Sequence, residues 1–257
     1  MIVVRDCMTS PATTESSDSS TIRLLEVLEH HKISAVPIVE NGRLVGIVST
    51  TDLVRDLATR GADESPRTAA DCMRHPVVTA APDEPLEAAA ERMVSARVHR
   101  LVVTEREEVV GILSTRDILG EVFKFRPQAL LGSVMTSPVE TIDIDASIDD
   151  AMARLVEANV HGLVVVDVDT PVGVFTHSEA LAARRLPPDL RARPVEEVMS
   201  YETICLDIKT PVFRAAAHAI QMNVRRLLVV DHRRLVGILS CLDLVAVLSK
   251  KPIESES

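Results

Sequence analysis

Four times the chain places a hydroxyl residue three positions ahead of an acid, at the end of a short apolar run that opens with glycine. The copies are Gly46-Ile47-Val48-Ser49-Thr50-Thr51-Asp52, Gly111-Ile112-Leu113-Ser114-Thr115-Arg116-Asp117, Gly173-Val174-Phe175-Thr176-His177-Ser178-Glu179 and Gly237-Ile238-Leu239-Ser240-Cys241-Leu242-Asp243. Residues so spaced can do two things. Where a strand feeds a helix they form a capping box, the hydroxyl and the acid each satisfying a backbone N–H at the helix start. The carboxylate also offers two acceptor oxygens, enough to take both hydroxyl protons of a diol. Capping boxes prefer Glu or Gln at the acidic position, yet three of the four copies carry Asp.

The acids recur at spacings of 65, 62 and 64, and a second marker, Met8, Met73, Met135 and Met199, recurs at the same spacings. Three of these sit in Met-x-x-Pro; the fourth, Met199-Ser200-Tyr201-Glu202, lacks the proline. Self-similarity at a fixed period defines the architecture before any local reading. After its Met-x-x-Pro opening each repeat predicts a short extended segment, such as Val77-Val78-Thr79, and then a helix. In the third repeat Ile148, Ala151, Met152, Leu155 and Val156 fall on one helical face. Two apolar strands follow, for example 101–104 and 109–113, joined by a polar turn; Glu40-Asn41-Gly42 supplies a hairpin signal in the first repeat. Their dense Val, Ile and Leu content predicts strands covered on both faces. The heptapeptide then turns the second strand into a second helix, as over 115–123. The joints are 62–67, 125–132 and 184–194, the last read as a solvated, Arg- and Pro-rich linker.

A chain of 257 residues accommodates two domains of two repeats each, because one unit of this size is marginal alone. With 46% hydrophobic residues but 2% aromatic, no Trp and one Tyr, its core must be aliphatic. A net charge of −10 argues against nucleic acid and anionic membranes as partners. The sequence contains no apolar run of membrane-spanning length and opens unlike a signal peptide. Its four cysteines show no C-x-x-C spacing, so a reduced, cytoplasmic protein is expected. No P-loop, dinucleotide fingerprint, zincin motif or nucleophile elbow is present. The expectation is a protein that is not an enzyme, without catalytic cofactor or metal site.

A β-α-β-β-α unit of about this length ending in Gly-h-h-Ser/Thr-x-x-Asp (h apolar) resembles the CBS domain, and the resemblance covers nearly the whole chain. It implies an α/β (α+β) fold of four tandem units, 1–60, 68–124, 131–185 and 195–250, paired as two Bateman modules, 1–124 and 131–250. Two such modules in one chain can form a flat disc, as in the gamma subunit of AMP-activated protein kinase. Members of the family bind adenosine derivatives between paired units. The resemblance places the ribose-binding acid on Asp52, Asp117 and Asp243, with Ser49, Ser114 and Ser240 three residues earlier. At Thr176/Glu179, where Glu replaces Asp, the cap is the favoured reading. A basic pair before the first core strand, which the resemblance assigns to phosphate, falls on His99-Arg100 and Arg225-Arg226. The first and third repeats have Ser34-Ala35 and His161-Gly162 there. Arg suits this role, since its fork of donors matches phosphate oxygens.

One strong nucleotide site per module is therefore expected, built around Asp117 and Arg100 in the first and Asp243 and Arg226 in the second. The odd repeats would supply an adenine wall, Ile33 or Val160. Arg116 is read as a further phosphate contact, and Asp52 with Ser49 and Thr51 as a weaker site. The implied function is a regulatory sensor of AMP, ADP or ATP, read by an unidentified effector protein, as a monomeric disc or a homodimer. Two alternatives stand beside it: a ligand-free interaction scaffold, and a sensor of S-adenosylmethionine or methylthioadenosine. The Arg residues count against a sulfonium ligand.

Overall fold

The computed structural model describes residues 2–60, 66–158, 160, 162–183, 186–201, 203–224 and 226–249. The first repeat contains β1 (Glu15–Ser16), α1 (Thr21–His30), β2 (Ala35–Glu40), β3 (Arg43–Ser49) and α2 (Thr50–Arg60). The second contains α3 (Ala69–Cys72), β4 (Thr79–Ala80), α4 (Leu86–Ala96), β5 (Arg100–Glu105), β6 (Glu108–Ser114) and α5 (Thr115–Phe125). The third contains β7 (Thr141–Asp143), α6 (Ile148–Glu157), β8 (Gly162–Asp167), β9 (Thr170–Thr176) and α7 (His177–Ala183). Then come α8 (Pro188–Arg191), β10 (Cys205–Asp207), α9 (Val212–Gln221), β11 (Arg226–Asp231), β12 (Arg234–Ser240) and α10 (Cys241–Ser249). The chain divides into two compact units between Ile118 and Leu119, a division that falls inside α5.

In the first unit one sheet runs β1-β2-β3-β6-β5-β4, the two repeats meeting where Arg43 pairs with Glu108. In the second unit the repeats form separate sheets, β7-β8-β9 and β10-β11-β12. Every repeat has the same order: a short strand parallel to the central one, which pairs antiparallel with the last. The central strands are buried on both faces, with Leu101, Val102 and Val103 consecutive at 0% exposure, as their unbroken apolar runs require.

Each hairpin closes through two residues of positive φ: Asn41-Gly42, Arg106-Glu107, Val168-Asp169 and His232-Arg233. Such turns match the right-handed twist of the flanking strands. Only the first carries the Asn-Gly that favours them. In the first, second and fourth repeats the helix before the core strand ends just as regularly. Lys32, Arg97 and Asn223 adopt φ of 53°, 52° and 55°. The next residue's N–H then returns to the helix: Ile33 to Leu28 O (3.0 Å), Val98 to Met93 O (3.0 Å) and Val224 to Ala219 O (3.2 Å). These are Schellman closures, and they feed the chain straight into the core strand.

The opening segments do not pack on their own repeats. Thr9 exchanges both backbone hydrogen bonds with Ile112 of the second repeat, and Arg74 does so with Ile47 of the first. Thr136 pairs likewise with Ile238, and Ser200 with Val174. The preceding Met seats against the partner's heptapeptide glycine. A methyl built on Gly46 would lie 2.8 Å from Met73 Cγ, and one on Gly237 2.8 Å from Met135 Cγ. One on Gly111 would lie 2.7 Å from Met8 Sδ, and one on Gly173 2.5 Å from Met199 Sδ. Both markers of the period are therefore halves of one contact, and each pair of repeats is completed reciprocally.

Two local expectations change. On α6, Ile148, Ala151 and Leu155 are buried and Met152 packs beside them, but Val156 is 78% exposed. The joint before the fourth repeat is not wholly solvated. It contains α8, and Ile148 N–H and Val195 N–H bond Arg193 O and Ala146 O (3.0 and 2.8 Å), tying it to the third repeat.

Candidate functional site

All four acids close a capping box at the start of the helix after the hairpin. Asp117 Oδ2 accepts from Ser114 N–H and Oγ–H (2.7 and 2.6 Å). Asp243 Oδ2 accepts from Ser240 (2.6 and 2.7 Å), Asp52 Oδ2 from Ser49 (3.0 and 2.5 Å), and Glu179 Oε2 from Thr176 (2.9 and 2.5 Å). The cap is thus common to the Asp and Glu copies alike, and it fixes the carboxylate at the sheet–helix junction with one oxygen saturated. What distinguishes the copies is the other oxygen. Among the described residues no hydrogen bond or ion pair falls on Asp117 Oδ1 or Asp243 Oδ1. Asp52 Oδ1 instead receives Arg74 Nε at 2.5 Å, and the Asp52 side chain is only 5% exposed.

Arg74 comes from the opening segment of the second repeat, brought beside Asp52 by the exchange of segments. The residues at the same place in the other openings are Thr9, Thr136 and Ser200. The sequence reading passed over Arg74, although aligning the repeats marks it as the one charged residue after the opening Met. Thr51, next to Asp52, is exposed.

The basic residues lie at the mouths of the hairpins. Arg100 opens β5 opposite Ser114, and Arg226 opens β11 opposite Ser240. Strand pairing thus puts each Arg beside the hydroxyl of its own heptapeptide. Arg100 also donates to Ser34 Oγ of the first repeat, so the pre-strand positions of the two repeats adjoin within this unit. His99 is exposed, and its carbonyl accepts Thr115 N–H at 3.0 Å. Arg116 is exposed on the first turn of α5. Ile33 and Val160 are half-buried and pack against the cores of the first and third repeats. Arg225 and His161 lie outside the described residues.

Around Asp52 a second acid sits one turn on. Asp56 is 5% exposed and accepts Arg67 Nη2 and Nε at 2.8 and 3.2 Å. Burial pushes the nearby Cys72 thiol up to about 11, with Asp56, Asp52 and Asp71 adding to the rise and Arg67 opposing it. Beside Glu179 in the third repeat, where Ala183 replaces that second acid, lies a cavity of about 370 Å³ lined by Ala182, Ala183, Leu186 and Val198. Among the described residues no group of three or more His, Cys, Asp or Glu could hold a metal ion, and no helix is long and apolar enough to cross a membrane.

The sequence profile of the CBS domain matches residues 4–59, 69–124, 131–185 and 195–250, and the chain belongs to the CBS-domain family. Among solved structures it resembles protein MJ1225 of Methanocaldococcus jannaschii, a candidate archaeal homologue of g-AMPK. The match covers 95% of this chain and 99% of that one at TM-score 0.78 and 16% identity. A conserved protein of Pyrococcus horikoshii matches over 96% and 100%, at TM-score 0.71 and 22% identity. Both likenesses are of fold alone. Among curated relatives, L-aspartate semialdehyde sulfurtransferase of M. jannaschii is 33% identical over 118 residues, 45% of this chain and 22% of its own length. The CBS domain-containing protein YhcV of Bacillus subtilis is 27% identical over 119 residues, 46% of this chain and 84% of its own. The chain thus spans about a fifth of the sulfurtransferase.

Proposed function

We propose that this chain is a regulatory protein that binds adenine nucleotides through its second and fourth CBS domains. The observation that carries the reading is the half-engaged carboxylate. Asp117 and Asp243 each spend one oxygen on their own helix cap and keep the other, with an Arg across the strand pair from the neighbouring serine. A free carboxylate oxygen accepts ribose hydroxyl protons. The helix N-terminus and the Arg fork suit phosphate. Ser34 brings the first repeat to the same mouth through Arg100, so a ligand there would touch both repeats of the module. It would then favour one arrangement of the pair, which an effector protein could read. The family membership and the net acidity outside this site agree with a small anionic ligand rather than nucleic acid. A cytoplasmic location and a non-enzymatic role belong to the same reading.

Thermal unfolding with AMP, ADP, ATP or S-adenosylmethionine tests it. A ligand at about 100 times its dissociation constant adds roughly 2.7 kcal/mol, which at about 2–4 °C per kcal/mol raises the midpoint by roughly 5–10 °C. A rise with phosphorylated nucleotides that is lost in Arg100→Ala and Arg226→Ala supports the reading. A rise with S-adenosylmethionine alone moves the ligand to the sulfonium class, and no rise with any of them leaves a scaffold.

A further inference from the structure

We propose that Arg74 is a built-in plug that closes the first repeat's carboxylate to ligands. The four repeats provide the internal comparison. In each, the residue after the opening Met is pinned by two backbone hydrogen bonds beside the partner repeat's heptapeptide. Thr9, Thr136 and Ser200 are short there. Arg74 is long enough to reach the acid, and it places Nε 2.5 Å from Asp52 Oδ1. With Ser49 on Oδ2, both carboxylate oxygens are then engaged. The guanidinium occupies in cis the acceptor that Asp117 and Asp243 keep open. Asp52 is 5% exposed, so water competes little for it, whereas the Arg74 side chain is 56% exposed at the mouth. A neutral hydroxyl arriving at Asp52 has to displace a charge-assisted hydrogen bond, which costs about 10- to 100-fold in affinity. The first module is thereby restricted to its second-repeat site.

The inference takes its probe from the nucleotide reading of the second and fourth repeats, and the experiment separates the two. Equilibrium dialysis with AMP, ADP and ATP counts nucleotides bound per chain in the wild type, in Arg74→Thr, and in Arg74→Thr combined with Asp52→Ala. The expected result is one more nucleotide in Arg74→Thr and its loss in the double variant. The reciprocal variant, Thr9→Arg, transplants the plug beside Asp117 and is expected to bind one nucleotide fewer than the wild type. Circular dichroism checks that each variant is folded, and Thr9→Arg decides alone if Arg74→Thr is not. Wild-type binding with no gain in Arg74→Thr overturns the plug and leaves the nucleotide reading standing. A site lost in Arg74→Thr also overturns it, by making Arg74 a ligand contact. Binding in Arg74→Thr but not in the wild type sustains the plug and overturns the reading of the even repeats. Binding in neither overturns both.

Discussion

Replacing Gly46 by Ala tests the exchange of opening segments directly. The added methyl would lie 2.8 Å from Met73 Cγ, closer than real Cβ contacts come, and 3.0 Å from Met73 Cβ, and its three nearest heavy atoms all belong to Met73. Met73 is pinned through the Arg74–Ile47 pairing, so the side chain cannot retreat as a body. Overpacking of this kind costs about 1–3 kcal/mol, or roughly 2–12 °C in midpoint for a chain of this size. Met73→Ala alone should cost about 2 kcal/mol, the low end for a core methionine, because Met73 is only partly buried. In the double variant the new methyl enters the space the thioether left. The two costs should then fall short of additivity by about 1–2 kcal/mol, the size of coupling found between contacting residues. Denaturant titrations followed by circular dichroism on the four proteins measure the cycle. Gly120→Ala provides the opposite sign: its methyl meets nothing within 4 Å and it lies inside α5. That change should stabilise by about 0.5–1 kcal/mol. Additivity of the Gly46 and Met73 changes within about 0.5 kcal/mol would refute the reasoning, because the glycine would then be needed for something other than the methionine.

Three further expectations follow from particular contacts. Asp117→Ala and Glu179→Ala each remove a cap acceptor, so both should lower the ligand-free midpoint by a similar 1–8 °C, for about 0.5–2 kcal/mol per cap; differential scanning fluorimetry without nucleotide reads this. Cys72, with its thiol held up to about 11, should react with iodoacetamide at pH 9 about 50-fold more slowly than an unperturbed thiol, in a variant whose other cysteines are serine. Since its folded pKa lies above the unfolded one, its contribution to stability is full below pH 9 and is lost as pH rises toward 11. The turn pair Val168-Asp169 sits at φ of 53° and 92° with Val168 85% exposed; Val168→Asn with Asp169→Gly should raise the midpoint by about 2–8 °C, for roughly 1–2 kcal/mol of relieved strain.

The repeat, its element order and the strand-to-helix placement of Ser114-x-x-Asp117 and its counterparts were legible in the sequence. Each is a local consequence of spacing and apolar pattern. Which copy packs on which was not. A period of about 60 residues aligns Met8 with Met73, but the same marks would be left if each Met covered its own glycine. The contact between Met73 and Gly46 is settled by how two incomplete units close, which no window of the sequence contains. Arg74 was missed for the same reason: it faces Asp52 only after the exchange. The contest between cap and ligand also looked different from the sequence, where one carboxylate had to serve one or the other. The structure divides it by atom: one carboxylate oxygen goes to the cap in every copy, Oδ2 of the three Asp residues and Oε2 of Glu179, and at Asp52 the other is taken by Arg74 from the partner's opening segment. Val156 fell off its predicted face because it lies at the outer edge of the apolar stripe, beyond the half-buried Met152, where the helix already faces solvent.

This division by atom explains how four copies of one motif can come to differ. The cap is required for each helix to start, so the acid and its serine or threonine are held in every repeat whether or not a ligand is bound. On the nucleotide reading, binding can then be altered without touching them, through the residue after the partner's opening methionine, whose backbone is already fixed opposite the residue that follows the glycine. A threonine there leaves the outer carboxylate oxygen open; an arginine fills it. Because that residue is contributed by the other repeat, the state of one repeat's carboxylate depends on the seating of its partner's opening segment. On the nucleotide reading, a ligand at Asp117 would lie against Ser114 and Arg100 of the second repeat and Thr9 of the first. Any shift of that segment would move Met8 against Gly111. On that reading the joint that completes the fold and the joint that a ligand would grip are the same few residues, so binding at one carboxylate would change how firmly the two repeats hold each other.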